Sequence, residues 1–324
     1  MSPTGVLLLG FGGPESIGDV QPFMCNLMDR VPSDELVERV CRRYLAIGGA
    51  SPLPDIAKAI ACGLEERLAS GGRTAPVRVG MRYWHPFISD ALDELVGLGC
   101  DRVVTVSLSP FESKAAGGAY REAIDEYAAS HGEIEIVEAP LISTRMEYVD
   151  YFASSTAAAI TDLEPNEGAI VVFTAHSLPL ADLAGDDPYE AGLQRTAQAI
   201  AEKLGMAQGR SGVGDAMLPG FSAFGAAEPP RAWFLAYQSK GTRPGGWLEP
   251  DLESLIAAAA ESEVKAIVVV PIGFLTDHME TLYDLDIEAA DKALLSGVEF
   301  SRATVPNDDG GLLDAMADMI SPLI

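Results

Sequence analysis

The sequence predicts an α/β protein of two similar Rossmann-like lobes, each a parallel β-sheet flanked by helices. Apolar runs rich in Val, Ile and Leu alternate with segments of helical period along the chain, a pattern typical of parallel sheets covered on both faces. The length of 324 residues suits two domains of ordinary size. Stretches in opposite halves of the chain also repeat one order of parts, as described below.

The β-branched and apolar runs predict the strands, and the amphipathic stretches between them predict the helices. The predicted strands are 6–9, 77–79, 102–109, 133–137, 169–174, 233–237 and 266–272. The predicted helices include 89–98, 146–163, 190–204 and 251–261. Residues 206–230 are rich in Gly, Ala and Pro without periodicity, which predicts a long loop.

An internal repeat supports the division into two lobes. The stretches "HPFISDALDELVGLGCDRVVTVSLSPF" (85–111) and "EPDLESLIAAAAESEVKAIVVVPIGF" (249–274) share a proline, an acidic helix, a turn, a β-branched strand and a closing Pro and Phe. Likewise "VLLLGFGGPES" and "IVVFTAHSLPL" each join a strand to a loop. We therefore expect lobes at 1–155 and 156–324. In open parallel sheets the ligand crevice lies beyond the carboxyl ends of the strands, so the loops there are the candidates for chemistry.

The composition excludes several classes of function. A net charge of −26 disfavours binding to nucleic acid, which depends on Lys and Arg neutralising phosphates. No apolar stretch reaches the ~18–20 residues that span a bilayer, and no signal-peptide pattern begins the chain. The four cysteines form no Cys-x-x-Cys pair, which predicts reduced thiols, a cytoplasmic location and no iron–sulfur cluster.

The loop "GFGGPES" (10–16) follows a strand but does not fit a nucleotide site. A dinucleotide fingerprint needs Gly-x-Gly-x-x-Gly, whereas Glu15 stands at the third glycine position. Pro14 also removes an N–H group that would face phosphate. The chain has no Gly-x-Ser-x-Gly elbow, His-Glu-x-x-His pair or P-loop, so hydrolase and kinase functions lose their support.

The segment "DHMETLYDLDIE" (277–288) places Glu280, Asp284 and Glu288 at i, i+4 and i+8, along one face of a helix. One interpretation is a solvated acidic face. The other is a row of carboxylates at the crevice that passes a divalent cation or protons, because oxygen ligands suit hard ions. The residues alone do not choose between them.

His176 lies in "FTAHSLP", at the end of a predicted strand in the same lobe as these carboxylates. Taken alone it is more often a structural histidine, but its position makes it a candidate proton acceptor or metal ligand. A second cluster, in "CRRYLAIGGASPL" (41–53), concentrates arginine in an acidic protein. Its arginines suit either an anionic substrate or the capping of a helix C-terminus.

These segments together resemble the ferrochelatase family, whose members insert ferrous iron into a porphyrin late in haem synthesis. The matching stretches run in family order and cover most of the chain: "LGFGGPES", "RRYLAIGGASPL", "YWHPFISDAL", "FTAHSLP", "AYQSKGTRPGGWLEPD" and "PIGFLTDHMETLYDLDIEA". The wording is most similar to actinobacterial members, several of which act on coproporphyrin III. The resemblance implies the chelatase fold, with the active-site cleft between the two lobes.

The resemblance also implies roles for the acidic row and the histidine. His176 matches the family histidine that meets the metal and accepts pyrrole protons, and Glu280 matches the glutamate that faces it across the cleft. Asp284 and Glu288 match the acidic line leading from that glutamate. The implied metal contacts are therefore His176, Glu280, Asp284 and Glu288.

The resemblance further implies where the porphyrin binds and what accompanies it. Phe11 stands where many bacterial relatives have a tyrosine near the metal, and it is expected to line the apolar cleft. The residues expected to contact the propionates are Arg30, Arg43, Tyr44 and Ser51. Ferrous iron is expected as a substrate without any resident cofactor, and transient contacts with neighbouring enzymes of haem synthesis are expected.

Some residues depart from the family pattern. Leu141 replaces a propionate-binding tyrosine of some members, and Glu112 and Lys114 stand where small hydroxyl or aromatic residues are expected. The alternatives to coproporphyrin III are therefore protoporphyrin IX as the substrate, a chelatase for cobalt, nickel or sirohydrochlorin, and a non-catalytic haem or porphyrin carrier. Neither the family nor the residues assign a role to segment 206–230.

Overall fold

The computed structural model describes residues 3–114, 117–131, 134–163, 168–183, 185, 187–209, 232–241, 243–262 and 264–324. The chain forms two compact units. The first consists of Met1–Glu147, Leu275–Met279 and Pro306–Ile324, and the second of Tyr148–Phe274 and Glu280–Val305. In the described part of the chain, no helix combines the length and the apolar character needed to cross a membrane.

The first unit is built on a parallel sheet of four strands in the order β2-β1-β3-β4. The strands are β1 Thr4–Gly10, β2 Val77–Met81, β3 Arg102–Ser107 and β4 Glu135–Glu138. Consecutive residues of β1 are buried, because both faces of a parallel sheet are covered by helices. Those helices are α1 Val20–Met28, α2 Asp34–Ala46, α3 Leu53–Ser70, α4 Ile88–Gly97 and α5 Gly117–His131.

The second unit contains a parallel sheet of five strands in the order β6-β7-β5-β8-β9. The strands are β5 Ala169–His176, β6 Ala207–Gln208, β7 Ala232–Gln238, β8 Ala266–Val270 and β9 Glu299–Arg302. Its helices are α6 Met146–Thr161, α7 Tyr189–Lys203, α8 Leu252–Glu261, a π-helix at Glu280–Ala289 and α9 Ala290–Leu295. Two of its hydrophobic faces meet where α8 packs on β7 and the π-helix.

The fold class predicted from the sequence is confirmed, and the repeat is visible strand by strand. The order β2-β1-β3-β4 of the first unit recurs as β7-β5-β8-β9 in the second. The two repeated prolines also take the same place: the Pro86 carbonyl accepts from the N–H of Met81 at 2.7 Å, and the Pro250 carbonyl accepts from the N–H of Tyr237 at 2.8 Å. Both follow a cis peptide bond.

The structure differs from the predicted elements in two strands. β6 is two residues long and lies within the predicted loop 206–230, while residues 210–230 lie outside the described part. β9 is half-buried along its length and carries the sequence Glu-Phe-Ser-Arg, which lacks the apolar run of a central strand. Both strands pair on one side only, at the edges of the sheet.

The end of the chain packs in the first unit, whereas the sequence places these residues in the second lobe. Helix α10, Gly310–Ile320, lies against α3. The guanidinium Nε of Arg67 on α3 donates to Asp314 Oδ1 at 2.5 Å. The Leu313 side chain fills the space beside Gly63, where an added Cβ would lie 2.7 Å from Leu313 Cδ1. Single-lobe periodicity carries no information about such a return of the chain.

Candidate active site

His176 is the last residue of β5 and the only residue of that strand that is not buried. Its backbone carbonyl accepts a hydrogen bond from the Tyr189 hydroxyl at 3.0 Å. Burial, and then the charge of Glu280, raises the pKa of Tyr189, so that this hydroxyl stays protonated and remains a donor. The imidazole, whose side chain is 34% exposed, is therefore presented at the carboxyl edge of the sheet from a fixed strand end.

Glu280 is the first residue of the π-helix and reaches the same edge of the sheet. β5 and β8 are neighbouring parallel strands, so the loop after β8 begins beside the end of β5. Gly273 in that loop donates its N–H to the Thr174 carbonyl at 3.0 Å. A Cβ at Gly273 would lie 2.6 Å from the Cβ of Ala175, so only glycine lets this loop run against β5.

The two side chains are in direct contact, with His176 Nδ1 2.8 Å from Glu280 Oε2. Burial lowers the pKa of His176, but the charge of Glu280, its hydrogen bond and the charge of Asp284 together raise that pKa by more. The net pKa therefore lies above the ordinary histidine value. The pair holds a proton more readily than an isolated imidazole, while the other ring nitrogen, Nε2, is left for a further contact.

This geometry corrects one expectation from the resemblance, that Glu280 faces His176 across a cleft. At 2.8 Å nothing can lie between the two side chains. Both groups belong to the second unit and to one edge of one sheet. They therefore present a single combined surface to a ligand.

Asp284 is the next carboxylate of the row, one turn further along the π-helix. It is half-buried and accepts a hydrogen bond from the Ser239 hydroxyl, with Ser239 Oγ 2.5 Å from Asp284 Oδ2. Its charge acts on His176, so it lies close to the pair. Hydrogen bonding in a π-helix runs from i to i+5, which changes the α-helical stacking assumed from the sequence but keeps residues four apart on neighbouring positions.

Glu288 lies at the far end of the π-helix and is exposed. His176, Glu280 and Asp284 are thus brought together, and Glu288 extends the row towards solvent. Within the described ranges, no three His, Cys, Asp or Glu side chains are gathered closely enough to hold a metal ion. The carboxylates therefore form a row and not a closed cage.

Phe11 and Arg30, two of the predicted substrate contacts, are exposed in the first unit. Phe11 follows β1 and is 44% exposed, with its ring centroid 4.8 Å from that of Tyr83. Arg30 lies just after α1, beside an open cavity of about 450 Å³. That cavity is also lined by Arg82 and Phe87. Arg43 is half-buried in the last turn of α2.

Tyr44 and Ser51 are buried, which differs from the open lining positions that the resemblance implies. Tyr44 packs in an aromatic core with Phe23 and Trp84 and is 5% exposed. Ser51 is 6% exposed, its N–H donates to the Pro14 carbonyl at 2.8 Å, and a Cβ on Gly13 would lie 2.5 Å from its Oγ. The glycines of the loop 10–16 therefore serve close packing.

Of the residues that depart from the family pattern, Glu112 has a defined partner. The Arg121 guanidinium on α5 donates to Glu112 Oε1 at 3.2 Å and also binds Glu138, at 2.7 Å. The hydrogen bonds to Glu138 and Glu112 raise the pKa of Arg121. Glu112 thus takes part in a surface ion-pair network of the first unit.

The sequence prediction missed the residues that hold the site. Gln238 and Ser239 lie at the end of β7, in the stretch "AYQSKG", and both approach the π-helix. Tyr189, which bonds the His176 carbonyl, lies at the start of α7. The one available signal was the position of Gln238 and Ser239 at the carboxyl end of a predicted strand, the same signal that identified His176.

Comparison with known proteins gives one consistent family. The family model described as Ferrochelatase matches residues 3–323. A ferrochelatase of Deinococcus radiodurans is 30% identical over 322 residues, covering 98% of this chain and 95% of the relative. A coproporphyrin III ferrochelatase of Mycolicibacterium smegmatis is 32% identical over 336 residues, covering 100% of this chain and 91% of the relative.

Solved structures with the same architecture are more distant in sequence. SirB from Bacillus subtilis with Fe3+ superposes with a TM-score of 0.56 at 13% identity, covering 98% of this chain and 94% of that one. CbiX, the terminal enzyme for biosynthesis of siroheme in denitrifying bacteria, gives 0.53 at 14% identity, covering 99% of each chain. At these identities the likeness extends to the fold alone.

Proposed function

Because the chain belongs to the ferrochelatase family, and is therefore an enzyme that inserts a metal into a porphyrin in haem synthesis, we propose that its substrates are Fe2+ and coproporphyrin III. We further propose that His176 and Glu280 handle the metal and the pyrrole protons. The observation that carries this proposal is the 2.8 Å contact between His176 Nδ1 and Glu280 Oε2.

Insertion of Fe2+ into a free-base porphyrin releases two pyrrole protons, so the site needs a base and a route away from it. The combined His176–Glu280 surface supplies the base, because the carboxylate stabilises the protonated imidazole. Nε2 of His176 is the atom that would accept a pyrrole proton, and Glu280 would balance the resulting charge. The macrocycle then lies over the pair on one side, because the pair itself is closed.

Asp284 and Glu288 extend this surface as a graded path. Asp284 is half-buried next to the pair and Glu288 is exposed, so the row runs from the imidazole towards solvent. Carboxylate oxygens suit a hard divalent ion in transit, and a row without a closed cage does not retain it. The same row would carry protons outward. No resident cofactor enters this proposal.

The choice of coproporphyrin III rests on the anionic side of the substrate. This porphyrin carries more propionates than protoporphyrin IX, and arginine binds carboxylates through a planar fork of donors. Arg30 and Arg43 of the first unit are the candidates for that contact in a chain of net charge −26. The Mycolicibacterium smegmatis relative named for coproporphyrin III supports the same choice.

The test is an anaerobic assay of Fe2+ insertion that compares coproporphyrin III with protoporphyrin IX, read from the absorption of the metalated product. We expect faster insertion into coproporphyrin III, and loss of insertion in His176→Ala. The matched control is His131→Ala, which removes a histidine that stacks on Tyr127 in α5. Full activity in His176→Ala would sink the assignment of roles.

The same assay decides among the remaining alternatives. Sirohydrochlorin, with Co2+ or Ni2+, is included because solved proteins of this fold carry sirohydrochlorin chelatase names. Preferential metalation of sirohydrochlorin would replace the porphyrin proposal. Tight haem binding without insertion of any metal would indicate a carrier. A cytoplasmic location and transient contacts with neighbouring enzymes of haem synthesis stay predictions.

A further inference from the structure

We propose that Ser239 is a positioning residue that fixes the Asp284 carboxylate beside His176 and so controls how the site takes up the metal. The inference rests on the proposed function for its kinetic test but not for its binding test. It concerns the end of β7, which neither the sequence pattern nor the family roles assigned to the site.

The contact itself is short and directed. Ser239 Oγ lies 2.5 Å from Asp284 Oδ2, and both side chains are half-buried. A hydroxyl that donates to a carboxylate makes a charge-assisted hydrogen bond, stronger than a bond between neutral groups. This bond reduces the rotational freedom of the Asp284 side chain and fixes the direction in which its second oxygen points.

The backbone at Ser239 shows that the residue type is not explained by local conformation. Its φ of 59° lies in the left-handed region, which disfavours residues with a side chain and suits glycine or asparagine. A serine here carries a conformational cost that glycine would avoid. We infer that the hydroxyl offsets this cost through its contact with Asp284.

Gln238, immediately before it, supports the same reading of the strand end. Gln238 is paired in register with His176 across β5 and β7, and it is 5% exposed. Its Nε2 lies 3.5 Å from the Glu280 carbonyl, a long contact to the first residue of the π-helix. Two successive residues of one strand end therefore reach towards the residues that carry the site carboxylates.

The consequence is specific to one substrate. Asp284 belongs to the carboxylate row proposed as the metal path, so a freely rotating Asp284 should weaken uptake of the metal. The bond between Ser239 and Asp284 lies within the second unit, and the arginines proposed to bind the porphyrin lie in the first. Loss of the hydroxyl should therefore change the KM for Fe2+ and leave the KM for porphyrin unchanged.

Three substitutions separate the hydroxyl from the backbone. Ser239→Ala removes the donor, Ser239→Gly removes the donor and relieves the left-handed backbone, and Ser239→Asn suits that backbone while retaining a donor. We expect the Ala and Gly variants to raise the KM for Fe2+ about tenfold, the scale of a lost hydrogen bond to a charged group. We expect Ser239→Asn to recover most of the loss.

Binding of Co2+ without porphyrin provides a second readout, followed by its visible absorption. The Ala and Gly variants should bind Co2+ about tenfold more weakly than the native protein, for the same reason. Ser254→Ala is the matched control, because Ser254 Oγ also donates to an aspartate, Asp251, at 2.8 Å on the surface helix α8. It should leave both readouts at the native level.

The outcomes are separable. A native KM for Fe2+ in Ser239→Gly, or equal rises in the KM for Fe2+ and for porphyrin, would overturn the positioning role. Unchanged Co2+ affinity in Ser239→Ala would overturn it as well. If the native protein metalates no porphyrin, the proposed function fails, while the Co2+ titration still decides the role of Ser239.

Discussion

At the scale of single residues, the contact between His176 and Glu280 determines how the site holds a proton. The imidazole is about one-third exposed and the carboxylate about one-quarter, at 34% and 26%. Their pairing raises the pKa of His176 despite the cost of burial. Raising a histidine pKa stabilises the folded state below the unfolded pKa, and that stabilisation is lost as pH rises through the folded pKa.

Glu280→Gln should lower the pKa of His176, because the opposing negative charge is removed while the burial that lowers the pKa stays. The measurement is an NMR titration of the His176 ring protons in the metal-free protein. The extra stability of the native protein over Glu280→Gln should be present below about pH 6.5 and diminish above it.

Asp318→Asn on α10 is the matched control, because it also neutralises one exposed carboxylate, in the first unit and outside the site. The His176 pKa should not change in this variant. An unchanged His176 pKa in Glu280→Gln would instead show that the contact at 2.8 Å does not govern its protonation.

The residues of the site were predictable to the extent that each follows a strand end or a charge pattern. His176 was located because it ends an apolar strand, and Glu280 and Asp284 because they recur along one helix. Their direct contact was not predictable, since it depends on β8 lying beside β5 and on Gly273 packing against Ala175. Ser239 was missed because its role depends on a contact 45 positions along the chain.

At the scale of elements, the repeat fixes how each helix starts. In the second unit Asp251 is the N-cap of α8, and its carboxylate accepts from the N–H of Ser254 at 2.8 Å. In the first unit, Asp90 accepts from the N–H of Phe87 at 2.9 Å at the start of α4. Both copies therefore satisfy the free N–H groups of a helix terminus with an aspartate, but from different positions.

Asp251→Ala should lower the free energy of unfolding by about 1 kcal/mol, the usual cost of losing an N-cap. Asp251→Asn should retain most of this stability, because the side-chain oxygen of asparagine also accepts from the N–H of Ser254. Urea denaturation followed by circular dichroism measures both. An equal loss in the two variants would indicate that charge, and not the cap, provides the stability.

The strands and helices with strong periodicity were predicted from the sequence, and the exceptions have physical reasons. β9 is an edge strand with polar residues, so it lacks the apolar run that identifies a central strand. The segment 280–289 was predicted to be helical, but its π-helical hydrogen bonding was not. The residue pattern of a π-helix does not differ from that of an α-helix in any way that the sequence shows here.

At the scale of the whole molecule, the chain divides its cores in a way that a single cut cannot describe. α10 completes the first unit although it ends the chain, and its buried face includes Leu313 and Ile320. The second unit has a separate core, which includes Ile256 on α8. Each unit therefore depends on residues that are remote in sequence, and its local stability should respond to its own core.

Leu313→Ala and Ile256→Ala form a matched pair that tests this division. Leu313 is 5% exposed in the first unit and Ile256 is 0% exposed in the second, and truncation of such a side chain costs about 2–5 kcal/mol. Hydrogen exchange followed by mass spectrometry locates the loss. We expect Leu313→Ala to speed exchange in α3 and β1, and Ile256→Ala to speed exchange in β7 and β8, because local opening follows the packing that is lost. If Leu313→Ala increased exchange in β7 and β8 and left α3 protected, the end of the chain would belong to the second unit, as the sequence alone suggested.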